Sequence, residues 1–226
     1  VQKMLDEGAK IIDIGGYSSR PGATEVSEIE ELNRVIPIIE LLVNKFSDII
    51  ISIDTFRSEV AKQAITAGAS IINDISAGNM DAKMFATVKE LQVPYIIMHM
   101  QGTPETMQEN PTYNNVTIEV IDFFAEKINE LNQLGVNDII IDPGFGFGKT
   151  LEHNYELLNK LEQFELLETP LMVGFSRKSM INKVLNTAPT EALNGTTVLN
   201  TLALSKGANI IRVHDVLEAK QVVELY

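Results

Sequence analysis

Seven short apolar runs alternate with helix-like stretches along this 226-residue chain. The runs cover residues 10–15, 49–54, 70–74, 95–100, 138–144, 170–177 and 209–215. Continuous apolar runs of this length, spaced by amphipathic segments, predict parallel strands buried on both faces. The intervening pattern predicts helices over 27–45, 58–67, 81–90, 117–134, 151–161, 179–185, 191–205 and 217–225. Gly8, Gly68, Gly135 and Gly207 stand where a helix gives way to the next strand, as C-terminal caps do. The phrases DEGAKIIDIGG, TAGASIINDIS and SKGANIIRVHD repeat this join. The period is that of a strand-helix unit and not of a solenoid, because the loops after the strands differ in length and content.

Seven such units are one short of a closed eight-stranded barrel. Residues 1–8 read as the tail of a helix whose strand is missing, and residue 1 is Val, not Met. The expectation is a single α/β domain over 1–226, a TIM (β/α)8 barrel without its first β-strand and first loop. The alternative is an open, doubly wound sheet of seven strands. In either fold, chemistry gathers at the C-terminal ends of the strands. Those ends carry Asp13, Asp54, Asn73, His99, Asp142, Lys178, Arg212 and His214.

Composition narrows the function classes. With 45% hydrophobic and 22% charged residues the chain can bury a sizeable core. No apolar run reaches the roughly 18 residues of a membrane span, and the N-terminus is not that of a secretory signal. Zero cysteines exclude disulfides, a thiolate nucleophile and cysteine-bound zinc. A cytoplasmic setting is expected. The net charge of −13 argues against nucleic acid, which needs a basic face. Glu25, Glu28, Glu30 and Glu31 read as a solvated helix face. An anionic ligand then needs a local reversal of the field by Lys, Arg or helix N-termini.

The segment from Asp142 to Thr150, DPGFGFGKT, invites a phosphate-loop reading that fails on spacing, since Pro143 stands where the first Gly is required. The dinucleotide fingerprint is also missed, because Gly144, Gly146 and Gly148 alternate. What remains is a flexible, close-approach loop that leaves Asp142 and the Phe147 ring facing a ligand. His99, His153 and His214 form no metal-binding pair; His153 reads as a solvated helix residue. Arg212 and His214, two apart on a strand, share a face and suit a multiply charged anion. The alternative is an Arg closing an ion pair with an Asp such as Asp215. Asp54, Asn73 and Asp142 end three strands, where burial costs energy unless donors meet them. They serve either as structural caps or as the reader of an amino-bearing heterocycle.

Seven segments stand out together: GGYSSRPGA from Gly15, SIDTFR from Ser52, INDI from Ile72, MHMQGTP from Met98, DPGFGFGKT from Asp142, FSRKS from Phe175 and RVHDV from Arg212. On these segments the chain resembles dihydropteroate synthase, the pterin-binding enzyme of folate biosynthesis. Seven motifs in family order span essentially the whole chain.

The resemblance implies a TIM barrel that condenses a dihydropterin diphosphate with p-aminobenzoate. It assigns the aminopyrimidine edge to Asp54, Asn73 and Asp142, and places Met98 and Gly174 against the pterin. Lys178 matches the lysine that reaches the ring, and Arg212 and His214 match the diphosphate pair. Ser19, Arg20 and Pro21 belong to the loop that closes over p-aminobenzoate, with Phe147 and Ser179 flanking that acid. It further implies Mg²⁺ on the diphosphate, a homodimer and a sulfonamide target. The family's Asn-bearing first loop, whose Asn contacts the Mg²⁺, has no match here, and Ser19 stands where the family more often has Thr. No residue of this chain is expected to bind the metal. Two rivals share the pocket: a folate-to-corrinoid methyltransferase and a non-catalytic pterin-binding protein.

Overall fold

The computed structural model describes residues 1–18 and 24–226, so Ser19, Arg20 and Pro21 lie outside the described residues. Every predicted run carries a strand: β1 (Ile12–Gly15), β2 (Ile51–Asp54), β3 (Ile71–Asp74), β4 (Tyr95–Met98), β5 (Ile139–Asp142), β6 (Met172–Val173) and β7 (Ile210–Ile211). The helices are α1 (Gln2–Asp6), α2 (Glu28–Lys45), α3 (Ser58–Thr66), α4 (Met84–Leu91), α5 (Val116–Gln133), α6 (Leu151–Asn159), α7 (Ser179–Leu185), α8 (Leu193–Ser205) and α9 (Val216–Leu225). No helix among the described residues is long and apolar enough to cross a membrane.

The chain forms two compact units, each drawn from separate stretches. The first comprises Lys10–His99 and Glu126–Ile140. Its strands lie in sequence order and pair in parallel, Ile12 against Ile51, Ser52 against Ile71 and Ile72 against Tyr95. Side chains alternate along a strand, so this register decides which residues share a face. Asp13, Ser52, Asp54, Asn73, Ile96 and Met98 fall on one face. Ile53, Ile72, Asp74, Tyr95 and Ile97 fall on the other, where Phe85 of α4 meets the Tyr95 ring edge-on at 6.1 Å. Tyr95 donates to the buried Asp74 at 2.6 Å, and Asp74 also accepts from Ser76 and Gly78. That face is a sealed structural layer, which leaves the first face for ligand chemistry.

Gly68 shows why the αβ joins need glycine. Its φ is +114°, and a Cβ there would meet Val43 at 2.8 Å. An L side chain would strain the backbone and collide with α2 at once.

The second unit comprises Val1–Ala9, Met100–Ala125 and Ile141–Tyr226. Ile141 bridges Leu171 in parallel, and β6 pairs with β7 as Met172 against Ile210 and Val173 against Ile211. Continued by one residue, this register sets Gly174 beside Arg212, whose Cβ lies 3.7 Å from where a glycine Cβ would stand.

Four expectations change. The run 170–177 is a two-residue strand followed by a turn in which Arg177 takes φ +57°. The predicted helix at 81 begins at Met84, and Asp81 spans two elements, accepting from the Ser58 N–H of α3 at 2.7 Å and from the Lys83 N–H at 2.9 Å in the turn before α4. The helix expected to reach 161 ends at Asn159, and Leu161–Leu167 tightens into 3-10 turns that bury Leu161 and Phe164. A further 3-10 turn, Pro189–Glu191, precedes α8.

Candidate active site

In the first unit, Asn73 Nδ2 donates to both oxygens of Asp13, at 3.2 and 3.3 Å. Asp54 pairs in register with Gly15 on one side and Asn73 on the other. The absence of a side chain at Gly15 is what admits Asp54, whose Cβ lies 3.2 Å from the place a Gly15 Cβ would take. Two carboxylates and an amide therefore stand along one sheet edge, with Met98 buried on the same face. Such an edge both accepts and donates, as an aminopyrimidine requires.

The loop after β2 corrects one reading of the sequence. Glu31 is fully buried and not solvated: it pairs with Arg57 at 2.5 Å and accepts from Thr55 at 2.7 Å. Arg57 also donates to the Val26 carbonyl at 2.8 Å and lies over the Tyr17 and Phe56 rings. A buried carboxylate is tolerated here because both its oxygens are met.

In the second unit the chemistry centres on Asp142, buried at the end of β5. Burial pushes its carboxyl above the usual range, while Lys178, the Gly144 N–H, Arg212 and Lys149 pull it back. Burial lowers Lys149 to about 7 and Lys178 to about 8, with Asp142 opposing both shifts. Three basic side chains around one acid make this spot locally basic in a chain whose net charge is −13. Lys178 Nζ donates to the Phe145 carbonyl, lies 4.9 Å from the centre of the Phe147 ring and stands 3.9 Å from the Gly174 Cβ position.

The loop that brings these groups together is pinned, not flexible. Gly144 N donates to Asp142 at 2.8 Å and Gly146 N to Asn154 at 2.7 Å. The carbonyls of Gly146, Phe147 and Gly148 accept from Gln108, Lys149 and Tyr113. Gly148 is required: at φ +59°, a Cβ would meet the Gln101 backbone at 2.7 Å. His153 departs from its solvated reading. It closes a capping box with Thr150 at the start of α6 and packs edge-on against Tyr113 at 4.9 Å.

Arg212 and His214 are exposed after β7. His214 is oriented by Ser176, whose Oγ lies 2.8 Å from its Nδ1. Asp215, one candidate partner for Arg212, binds Arg177 through both carboxylate oxygens. Ser179 begins α7 and is exposed. Asp13 stands among the strand ends named from sequence but has no role there, and Lys149, Ser176 and Arg177 are not named as candidates at all. Ser176 shares the strand parity of Gly174.

Residues 1–214 match the family described as pterin binding enzyme. The chain belongs to the pterin-binding enzymes. Among them, the dihydropteroate synthase of Escherichia coli (strain K12) is 48% identical over 226 residues, covering 98% of this chain and 79% of that protein. The Haemophilus influenzae synthase is 44% identical over 228 residues, covering 100% of this chain and 82% of its own length. A Yersinia pestis dihydropteroate synthase solved as a sulfonamide drug complex superposes with TM-score 0.95 at 42% identity, over 99% of this chain and 81% of that one. A Xanthomonas albilineans dihydropteroate synthase solved with 4-aminobenzoic acid gives TM-score 0.93 at 38% identity, over 99% and 80%. The fold class of this pterin-binding enzyme is accordingly that of the synthases, the α/β TIM barrel.

Proposed function

We propose that this chain condenses 6-hydroxymethyl-7,8-dihydropterin diphosphate with p-aminobenzoate, giving 7,8-dihydropteroate and diphosphate. The observation that carries the reading is the buried Asp142 ringed by Lys178, Arg212 and Lys149. A single acid can hold an amino-bearing heterocycle, and the surplus of positive charge suits a departing diphosphate. The bond from the pterin methylene carbon to the diphosphate oxygen breaks, the electron pair leaving with the oxygen. The neutral arylamine nitrogen then bonds to that carbon and loses a proton. Positive charge grows on the pterin as it grows negative on the leaving group, and preorganised charge at both ends lowers the barrier. Arg212, His214 and Lys178 act on the anion; Asp142 favours positive charge on the ring. No covalent nucleophile is needed.

Asp54, Asn73 and Met98 are our proposed pterin contacts in the first unit, supported by their shared strand face and the Asp13–Asn73 contact. Gly174, in the second unit, is also proposed for substrate binding, supported by its place beside Arg212 and Lys178. Phe147 and Ser179, with Ser19, Arg20 and Pro21, are proposed for p-aminobenzoate on the family motif. Mg²⁺ is also a proposal of the resemblance. Among the described residues no group of three or more His, Asp or Glu side chains could hold a metal. A cytoplasmic location belongs to the same reading. So does a homodimer, supported by the exposed apolar residues Val184, Leu185, Val198, Leu202, Leu217 and Val223 on α7, α8 and α9.

The test is direct turnover. The full-length protein, given dihydropterin diphosphate and p-aminobenzoate, should release dihydropteroate and diphosphate in equal amounts. Pterin binding without any product would establish the non-catalytic alternative instead.

A further inference from the structure

Two cross-links join the turn after β6 to the turn after β7 at successive positions. Ser176 accepts from the His214 N–H at 3.2 Å and meets its ring Nδ1 at 2.8 Å. One residue on, Arg177 grips Asp215 through two hydrogen bonds, the Nε bond at 3.1 Å. Between and beside these links stand the groups proposed for the diphosphate, with Lys178 following Arg177 and Arg212 preceding His214.

Three facts mark the outer link as more than a surface ion pair. Asp215 occupies the N-cap position of α9 yet makes no side-chain cap bond, so its carboxylate is committed to Arg177 instead of its own helix. Arg177 sits at φ +57°, a left-handed conformation uncommon for a residue with a side chain, which persists only where surroundings hold it. Strands β6 and β7 are only two residues each, so their ladder supplies little rigidity to the turns beyond it.

We propose that Arg177 and Asp215 form a positioning clamp that sets Lys178 against Arg212 and His214. Neither residue touches substrate; each acts through its neighbour in the chain. The Arg177 side chain is 42% exposed, and ion pairs at such sites contribute little to stability. The link therefore matters for geometry, where an error of about 1 Å can cost roughly a hundredfold in rate.

This inference rests on the diphosphate-transfer reading, and wild-type turnover tests that reading separately. The clamp is tested by a double-mutant cycle of Asp215→Asn, Arg177→Gln and the pair in the full-length protein. Turnover with the diphosphate substrate, affinity for 6-hydroxymethylpterin without diphosphate, and melting temperature are measured for each. Asp215→Asn keeps the side-chain shape, so it folds even where a larger change does not. The clamp predicts that either single change lowers kcat about tenfold or more, leaves affinity for the diphosphate-free pterin within about twofold, and shifts melting by little. It also predicts that the double variant is no slower than the worse single, because the two side chains act only through each other. Singles within about twofold of wild-type kcat, multiplicative losses in the double, or an equal loss of pterin affinity would each overturn it.

Discussion

Glu30 and Glu31 are adjacent on α2 and have opposite fates. Glu30 pairs with Arg34 one turn away, both side chains about half exposed, while Glu31 is sealed beneath the loop after β2 and holds Arg57. Removing Glu31 leaves a mostly buried guanidinium without its counter-charge, a loss that typically costs about 3–5 kcal/mol. Glu30→Ala forfeits an exposed i,i+4 pair worth about 0.3–0.5 kcal/mol. Denaturant unfolding of the two alanine variants should therefore separate them by several-fold in stability loss; near-equal losses would refute the burial argument. Nothing in the charge pattern alone distinguishes the two residues, since the partner of Glu31 lies 26 positions away. The burial of Asp142 was legible, because a carboxylate closing an apolar run must sit at a strand end; whether it caps or reads a ligand was open from the residues alone. Lys149 was not: its motif matched a phosphate loop in composition and failed in spacing, which hid the buried ammonium at its end.

Among the elements, the loop from Asp142 to Thr150 does most to place the chemistry, and it depends on how α6 begins. Thr150 Oγ1 accepts from the His153 N–H at 3.2 Å, and the His153 ring accepts from the Thr150 N–H. Asn154, one residue on, holds the Gly146 N–H and so ties the loop to the helix. Thr150→Ala should cost about 0.5–2 kcal/mol by loss of the cap, and should raise KM for the pterin as the loop loosens. Unchanged melting together with unchanged KM would mean that the cap is dispensable. Strand and helix positions were readable from apolar periodicity, because hydrophobic burial dictates them. The turns after β6 and β7 were not, because their conformations are fixed by contacts distant in sequence, Arg177 with Asp215 and Ser176 with His214.

For the molecule as a whole, the buried Lys149 and the partly buried Lys178 tie stability to pH. Lys149 and Lys178 titrate near 7 and 8 in the fold, below the 10.5 they start from. Between those values the unfolded chain binds more protons than the folded one, so these groups make stability rise with pH across that window. Asp142 has the opposite sign at lower pH: its carboxyl is raised in the fold, so its contribution falls as pH climbs through that range. Urea unfolding at about pH 7 and about pH 9 should show the rise in the wild type and a smaller one in Lys149→Met. An identical rise in the variant would show that Lys149 is protonated throughout.

If the basic cluster in the second unit stabilises a departing diphosphate, Arg212→Ala should expose it. Arg212 is exposed and follows the short strand β7, so trimming its side chain should leave the fold intact. The measurement is steady-state turnover of dihydropterin diphosphate with p-aminobenzoate, set beside calorimetric binding of the diphosphate-free pterin to the same variant. An interaction that strengthens as the leaving group gains charge is lost mainly in the transition state. In this variant kcat should fall by roughly 10²–10³, with affinity for the diphosphate-free pterin nearly unchanged. Equal losses in turnover and pterin affinity, or no loss of turnover, would contradict this role of the cluster.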